Sequence, residues 1–338
     1  ALMRDGLVGS ITDDQRGFLD IISDRADDLN TMVDDMLDVG RLEAGRLGAW
    51  RKRCAVSKII GRVRPALERK AIAKSIQLSI ETEDDLPEVY CDDEKAARVL
   101  INLTVNAIKF CQEENRVRVT ARKDPQSGGV IVAVADNGPG IDPAHRDEIF
   151  ERFKQLNIDP RASCKGFGLG LNIAKVLVDL NFGDMDLQST VGQGSTFTFT
   201  LPPADPIEVM RRWVRRLKSQ TNEPPRVSLV SAQIDSATEA ATLGDVDWYL
   251  NSLLRRNDLL FRIAACRWLL VVAASDEEVS QFLAGAHQTF DEVNRNRPQG
   301  PLPAVALHAH QAWSTGGRES EFWAAFREQM EVQEPAYA

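Results

Sequence analysis

Residues 102–110 read Asn102-Leu103-Thr104-Val105-Asn106-Ala107-Ile108-Lys109-Phe110. They end a longer segment, Glu94 to Phe110, in which apolar residues recur at spacings of three and four. This spacing predicts an amphipathic helix. Its predicted inner face consists of Ala97, Leu100, Ile101, Val105 and Ile108.

The same helix has a polar face made of Asn102, Asn106 and Lys109, which follow one another at i, i+4 and i+7. Amide oxygens are hard ligands suited to Mg²⁺, and an ammonium group suits a phosphate. A face that is simply exposed to water is the alternative. It explains the polarity poorly, because other residues of the helix already supply the core.

The segments around this helix alternate between helical and strand periods, which predicts an α+β fold with helices packed on one face of a mixed sheet. The predicted helices are Ile59–Ile72 and Leu169–Leu180, and the predicted strands are Ile76–Ile80, Val117–Ala121, Val130–Ala135 and Thr196–Leu201.

A second polar motif, Asp136-Asn137-Gly138-Pro139-Gly140-Ile141, directly follows an apolar strand. A carboxylate at a strand end can accept the exocyclic amine of adenine, and glycines allow close approach of a ligand. Taken alone, the motif fits a plain turn equally well.

A third motif, Gly166-Phe167-Gly168-Leu169-Gly170-Leu171, opens the next helix, where backbone amides and the helix dipole favour phosphates. The dinucleotide-binding interpretation fails because the strand–turn–helix context and a later acidic residue are missing. The polar loop Asp159–Lys165 before it is long enough to be a lid. A fourth motif, Gly192-Gln193-Gly194-Ser195-Thr196-Phe197, turns into the last strand.

Together with Phe150-Glu151-Arg152-Phe153, these motifs resemble, in order and spacing, the N box, F box and three glycine boxes of the histidine-kinase ATP-binding domain of the GHKL type. The resemblance covers roughly residues 10–203 and implies an α/β-sandwich ATP-binding domain at 49–203. Gyrase and the Hsp90-type proteins share this fold but carry a glutamate base where this chain has Asn102. An amide cannot take a proton from water, so we expect phosphoryl transfer rather than hydrolysis.

The resemblance also implies residue roles. Asn106 would hold Mg²⁺ with help from Asn102, Asp136 would bind adenine, and Arg161 or Lys165 would reach the γ-phosphate from the lid. The full set of implied ATP-binding residues is Asn102, Asn106, Lys109, Asp136, Gly138, Gly140, Ile141, Phe153, Lys165, Gly166, Gly168, Leu169, Gly170 and Thr196.

The first 48 residues are predicted to be part of a dimerisation hairpin. Thr12 to Gln15 fits a capping box that begins a long helix with one apolar stripe. Leu2 to Leu7 would end the preceding helix, and Leu37 to Gly45 resembles the end of the histidine-kinase hairpin. The family's phosphoacceptor histidine would lie upstream of Ala1. The implied partners are a second copy of the chain, through the hairpin, and a response regulator.

Pro202-Pro203 and Pro224-Pro225 bound a predicted linker helix within residues 204–225, with its arginines facing solvent. Residues 226–338 read β-α-β-β-α-β-α, typical of a ferredoxin-like α/β domain. They also resemble a degenerate GGDEF domain, because Ala264-Ala265-Cys266-Arg267-Trp268 replaces the signature and Gln233 replaces the first metal-binding aspartate. His308 and His310 share a strand face as a candidate metal pair without a third ligand.

Composition narrows the functional classes. The net charge of −9 argues against a general nucleic-acid binder. Five scattered cysteines without a C-x-x-C pair favour free thiols in a reducing cytoplasm, and membrane contact is expected only through upstream segments. The leading hypothesis is the cytoplasmic part of a sensor histidine kinase using ATP and Mg²⁺. The alternative is an ATP-binding pseudokinase scaffold.

Overall fold

The structure is a computed structural model that describes residues 9, 11–43, 48–154, 168–220, 224–235, 240–255, 257–297, 300–315 and 319–331. In the described part of the chain, no helix is both long enough and apolar enough to cross a membrane.

The N-terminal helix α1 (Asp13–Glu43) begins at the predicted capping box. The Thr12 amide donates to the Gln15 side chain over 3.0 Å, and the Gln15 amide donates to the Thr12 hydroxyl over 3.2 Å. Its apolar stripe is exposed: Phe18 and Ile22 are 67% and 63% accessible. The predicted preceding helix at 2–7 and the last predicted residues of α1, 44 and 45, lie outside the described residues.

The next region is the predicted α/β sandwich. Its helices are α2 (Val56–Ala73), α3 (Asp93–Phe110) and α4 (Gly170–Leu180), with short 3₁₀ turns at Pro143–His145 and Glu148–Phe150. Its strands are β1 (Lys52–Cys54), β2 (Gln77–Thr82), β3 (Val89–Cys91), β4 (Arg116–Lys123), β5 (Val130–Asp136), β6 (Met185–Thr190) and β7 (Gly194–Leu201).

The main sheet has the order β2-β4-β5-β7-β6, in which β2 and β4 are parallel and the other pairs antiparallel. Strands β1 and β3 form a separate antiparallel pair. One core joins the three helices to alternating residues of β4, β5 and β7. The mixed α+β architecture is therefore confirmed for this part of the chain.

The buried face of α3 differs from the predicted one. Ala97, Leu100 and Ile108 are buried as expected, but Ile101 and Val105 are only partly buried. The other buried apolar residues of α3 are Ala96, Val99, Leu103 and Ala107. Because α3 contacts both α2 and α4 as well as the sheet, its buried surface is wider than a single stripe.

Lys74, which follows α2, caps the C-terminal end of α3. Its ammonium donates to the carbonyl oxygens of Ile108 at 2.9 Å and Cys111 at 2.8 Å, and also to that of Lys109.

We expect Lys74→Met to lower the free energy of unfolding by roughly 1.5–3 kcal/mol, because carbonyl groups lose a charged donor. Urea unfolding should show the loss. Lys70→Met, which replaces an exposed lysine in the last turn of α2, should leave the midpoint almost unchanged.

The C-terminal region has helices on both faces of one sheet. Its helices are α5 (Pro206–Gln220), α6 (Ala240–Ser252), α7 (Asp276–Asn296) and α8 (Glu319–Glu331), and its strands are β8 (Arg226–Gln233), β9 (Leu259–Ala264), β10 (Arg267–Val272) and β11 (Ala306–Ser314). The sheet order is β11-β8-β10-β9, and every pair is antiparallel. Helices α5 and α8 cover one face, and α6 and α7 cover the other.

Helix α5 is not a solvated linker helix, contrary to the sequence-based prediction. Its residues Val209, Met210, Trp213, Val214 and Leu217 are buried in a core with the C-terminal sheet. Two of its arginines contact the preceding sandwich: Arg212 donates to the Phe182 carbonyl over 3.0 Å, and Arg216 donates to the Gly183 carbonyl over 2.8 Å. Arg212 and Arg216 therefore make contacts between the two domains instead of facing solvent.

Candidate nucleotide-binding site

The polar face of α3 lies against the start of α4. The Asn102 side-chain amide donates to the Gly170 carbonyl over 3.1 Å. A Cβ atom added at Gly170 would lie 3.9 Å from the Asn106 amide nitrogen. Within the described residues, the Asn106 side chain has no hydrogen-bond partner of its own. Its amide oxygen is therefore available to a ligand, and the amide lies beside the first residue of α4.

Asp136 ends β5, and its carboxylate is held by the backbone. Its Oδ1 atom accepts from the Gly138 amide at 2.9 Å and from the Ser195 amide at 3.3 Å. Burial raises the pKa of this carboxyl above its ordinary value, and these two hydrogen bonds oppose the shift. Among the residues that the structure describes, Oδ2 has no donor, so it can accept from a ligand amine.

The glycine motif after Asp136 is fixed by β6. The Ile141 amide donates to the Ser189 hydroxyl over 2.8 Å, and that hydroxyl lies 3.0 Å from the Ser195 hydroxyl. Gly140 has a φ of +71°, and a Cβ atom there would overlap the Thr190 carbonyl oxygen. Only glycine fits this position, for reasons of both backbone conformation and space.

We expect Gly140→Ala to weaken ATP binding and to destabilise the domain, because the loop must move away from β6. Gly128→Ala is a matched control: Gly128 has the same φ of +71° but nothing within 4 Å of an added Cβ atom. Both variants should pay about 1–2 kcal/mol for the left-handed backbone. Gly140→Ala should lose about 1–3 kcal/mol more from overpacking. Equal unfolding midpoints for the two variants would contradict this account.

The second glycine motif is described only from Gly168 onwards. Gly168 has a φ of +69°, and its carbonyl accepts from the Phe153 amide at 3.0 Å. The Phe153 side chain is 63% exposed. Leu169 is buried immediately before α4. The candidates Arg161, Lys165 and Gly166 lie outside the described residues.

Lys109 and Thr196 are the remaining candidate ATP-binding residues that the structure describes. The Lys109 ammonium lies 4.9 Å from the centre of the Phe110 ring, at the end of α3. Thr196 pairs with Ala135 across β7 and β5, whereas Ser195 pairs with Asp136. Because side chains alternate along a strand, Thr196 faces away from Asp136 and from the helices. The structure therefore separates Thr196 from the candidate site.

Sequence reasoning did not single out Ser189 and Ser195, which support Asp136 and the loop after it. Ser195 belongs to the fourth glycine motif and is next to the candidate Thr196, and this position is the sequence signal that could have identified it. Ser189 lies in β6, where the alternation of Met185 and Leu187 with polar residues was the signal for a strand. Single serines carry no such signal, because their role depends on pairing between distant strands.

The candidate metal pair lies far along the chain in β11. The rings of His308 and His310 are 5.2 Å apart. No group of three metal-ligating histidine, cysteine, aspartate or glutamate side chains occurs in the ranges that the structure covers. Burial lowers the pKa of His310 below its ordinary value.

The geometry of amides, glycines and a buried carboxylate agrees with the family comparison. Residues 91–205 match the family described as "Histidine kinase-, DNA gyrase B-, and HSP90-like ATPase". Residues 91–205 therefore form a domain of this ATPase class, and the relatives of the chain include sensor histidine kinases.

Two such relatives are the circadian input-output histidine kinase CikA of Synechococcus elongatus and the sensor histidine kinase TmoS of Ectopseudomonas mendocina. The first is 33% identical over 202 residues, which cover 59% of this chain and 26% of that protein. The second is 34% identical over 184 residues, which cover 54% of this chain and 19% of that protein. The matched part spans about a fifth to a quarter of these relatives.

Among solved structures, the chain is similar to full-length ShkA in complex with AMPPNP. The TM-score is 0.48 at 29% sequence identity, and the match covers 58% of this chain and 40% of that chain.

Proposed function

We propose that this chain is part of a sensor histidine kinase that binds ATP with Mg²⁺ and transfers the γ-phosphoryl group to a histidine upstream of Ala1. A response-regulator aspartate would then receive the group. The observation that carries the proposal is the hydrogen bond from the Asn102 amide to the Gly170 carbonyl, which places the neighbouring Asn106 amide beside the N-terminal end of α4.

The residues present fit an ATP–Mg²⁺ complex. Asn106 would hold the metal through its amide oxygen, which no described residue engages, while the hydrogen bond from Asn102 to Gly170 fixes the start of α4. The α4 amides would face the phosphates. When bound, Mg²⁺ would neutralise charge on the phosphate oxygens. Asp136 would accept the adenine amine, and Ser195 rather than Thr196 would support that carboxylate.

The residue types favour transfer over hydrolysis. Asn102 occupies the position one turn before the metal-binding asparagine, and an amide cannot act as a general base toward water. No described residue is required to form a covalent intermediate, because phosphoryl transfer depends mainly on position and charge. The acceptor must therefore be brought to the nucleotide, which in this family is the task of the hairpin.

The test is labelling with [γ-³²P]ATP of the protein extended upstream through a complete first hairpin helix. We expect label that is acid-labile and base-stable on one upstream histidine. Asp136→Asn in the same protein should remove it. An extended protein that binds ATP but takes up no label would favour the pseudokinase scaffold instead.

We further propose that α1 forms a homodimer through its exposed apolar stripe. Phe18, Ile22 and Leu29 recur at helical spacing, and each is at least 60% exposed. We expect Ile22→Glu combined with Leu29→Glu to halve the mass measured by light scattering. Ile72→Glu, which changes a 76% exposed isoleucine at the end of α2, is the control and should leave the mass unchanged. A wild-type chain that is monomeric throughout would reject the proposal.

For the C-terminal region, we propose a ferredoxin-like domain that is related to a degenerate GGDEF domain. The split connectivity β8-α6-β9-β10-α7-β11 and the sheet order support this assignment. The hairpin between β9 and β10 contains Ala265 and Cys266 in place of carboxylates. Nucleotidyl transfer on paired metals is therefore not part of the proposed function.

A further inference from the structure

A cleft of about 930 Å³ lies between the ATP-binding domain and the C-terminal domain. One wall is formed by residues 50–53 and Tyr90, and the other by residues 260–264 and the end of α8. Tyr90 connects the walls: its hydroxyl donates to the Leu260 carbonyl, and its ring stacks on Phe261 with centres 5.4 Å apart. Neither Asp136, nor Asn106, nor any other candidate ATP-binding residue lines this cleft.

The cleft is cationic although the whole chain is acidic. Its cationic side chains are Arg51, Lys52, Arg53, Arg262 and Arg327, and its acidic side chains are Asp247 and Glu331. Lys52 and Arg262 are already paired, with Asp93 at 3.0 Å and Asp247 at 3.2 Å.

The other three cationic side chains, Arg51, Arg53 and Arg327, have N–H groups that donate to no described residue. Arg53 and Arg327 have no hydrogen-bond or ion-pair partner among the residues that the structure describes. Arg51 is only 9% exposed, and Nε, which donates to the Leu180 carbonyl over 2.6 Å, is its one donor with an acceptor there. Burial lowers the pKa of Arg51 to about 10, so it is still charged at neutral pH. The Arg51 guanidinium also lies 4.2 Å from the centre of the Phe182 ring, and its remaining N–H donors are available to a ligand anion.

An aromatic side chain accompanies these cations. Trp50 lines the cleft with 40% of its surface exposed, and its backbone is fixed because its amide donates to Asp92 over 2.8 Å. An exposed indole beside arginines suits a planar ring attached to phosphates. An acidic peptide would satisfy the arginines but would leave the indole without a stacking partner.

We propose that this cleft binds a nucleotide, whose phosphates contact Arg51, Arg53 and Arg327 and whose base stacks on Trp50. The site is separate from the ATP-binding site and takes part in no reaction. Its walls are joined to both nucleotide-binding helices, because Trp50 bonds to the cap of α3 and Arg51 to the last residue of α4. Occupancy should therefore change ATP affinity at the opposite ends of the same helices.

The experiment is a calorimetric titration of the Asn106→Ala chain with GTP. Guanine has a carbonyl where adenine has its amine, so the Asp136 carboxylate disfavours GTP at the ATP-binding site, and Asn106→Ala removes the proposed metal ligand of that site. We expect one binding event that weakens roughly tenfold in each of Arg53→Gln, Arg327→Gln and Trp50→Ala. Arg122→Gln, an exposed arginine on β4, is the control and should leave GTP affinity unchanged.

Three results would overturn the proposal. The first is no GTP binding at millimolar concentration. The second is binding that is insensitive to all three cleft substitutions. The third is tripolyphosphate or a hexaglutamate peptide binding as tightly as GTP with no effect of Trp50→Ala, which would make the cleft a site for simple anions or acidic peptides. None of these results depends on whether the ATP-binding site transfers phosphate.

Discussion

Asp136→Asn should weaken ATP binding by roughly 10- to 150-fold, the equivalent of a charged hydrogen bond of about 1.5–3 kcal/mol. One oxygen of the Asp136 carboxylate accepts hydrogen bonds from the Gly138 and Ser195 amides. The other oxygen is left to accept a hydrogen bond from the adenine amine. An asparagine of the same shape can retain the backbone contacts. Its NH₂ group would then face the adenine amine, and two donors cannot bond to each other.

Equilibrium dialysis with labelled ATP measures this effect. Asp186→Asn is the control, because Asp186 is exposed on β6 at the edge of the same sheet. The ATP affinity of the wild-type chain should also fall on acidification at a pH above the ordinary aspartate pKa, because burial raises the pKa of Asp136 and the neutral carboxyl is a weaker acceptor than the carboxylate. Equal ATP affinity in Asp136→Asn and wild type would reject the adenine role.

Asn106→Ala should remove the dependence of ATP binding on Mg²⁺. The ATP affinity in the presence of Mg²⁺ should fall by at least roughly 10- to 100-fold, which is the effect of removing a residue that only supports a metal ligand. The reason is geometric: the Asn106 side chain has no hydrogen-bond partner among the residues that the structure describes, and its amide lies beside Gly170. Replacing it by alanine leaves the metal to water and phosphates alone.

Titrations with ATP at several Mg²⁺ concentrations give the result directly. Wild type should bind more tightly as Mg²⁺ rises, and Asn106→Ala should show one weak affinity throughout. Gln188→Ala, which removes an exposed amide from β6, should behave as wild type. A Mg²⁺ response in Asn106→Ala as large as that in wild type would assign the metal to other residues.

The sequence predicted the regular elements well where periodicity was long. Helix α3 was expected from Glu94 and begins at Asp93, with the same last residue. The short strands β1 and β3 were not predicted, because three residues cannot display a period. The burial of α3 was only partly predicted, because a helix packed between α2 and α4 buries residues outside a single stripe.

For the candidate site, the sequence predicted the relative positions of residues on one helix better than the contacts between residues on different elements. The relation of Asn102 to Asn106 follows from helix spacing alone. Thr196 lies on the opposite face of the sheet from Asp136, because a shift of one residue along a strand reverses the face of the side chain. The contacts of α5 were not predicted either, since Arg212 and Arg216 also donate to carbonyl groups of a distant loop, which no local pattern reveals.

The most direct test of the central claim is a calorimetric titration of the chain itself with AMPPNP, with and without Mg²⁺. The claim predicts one Mg²⁺-dependent nucleotide site per chain, clearly weaker binding at that site without Mg²⁺, and loss of the Mg²⁺-dependent binding in both Asp136→Asn and Asn106→Ala. Absence of binding in the presence of Mg²⁺, or binding that both substitutions leave intact, would contradict the assignment of this site.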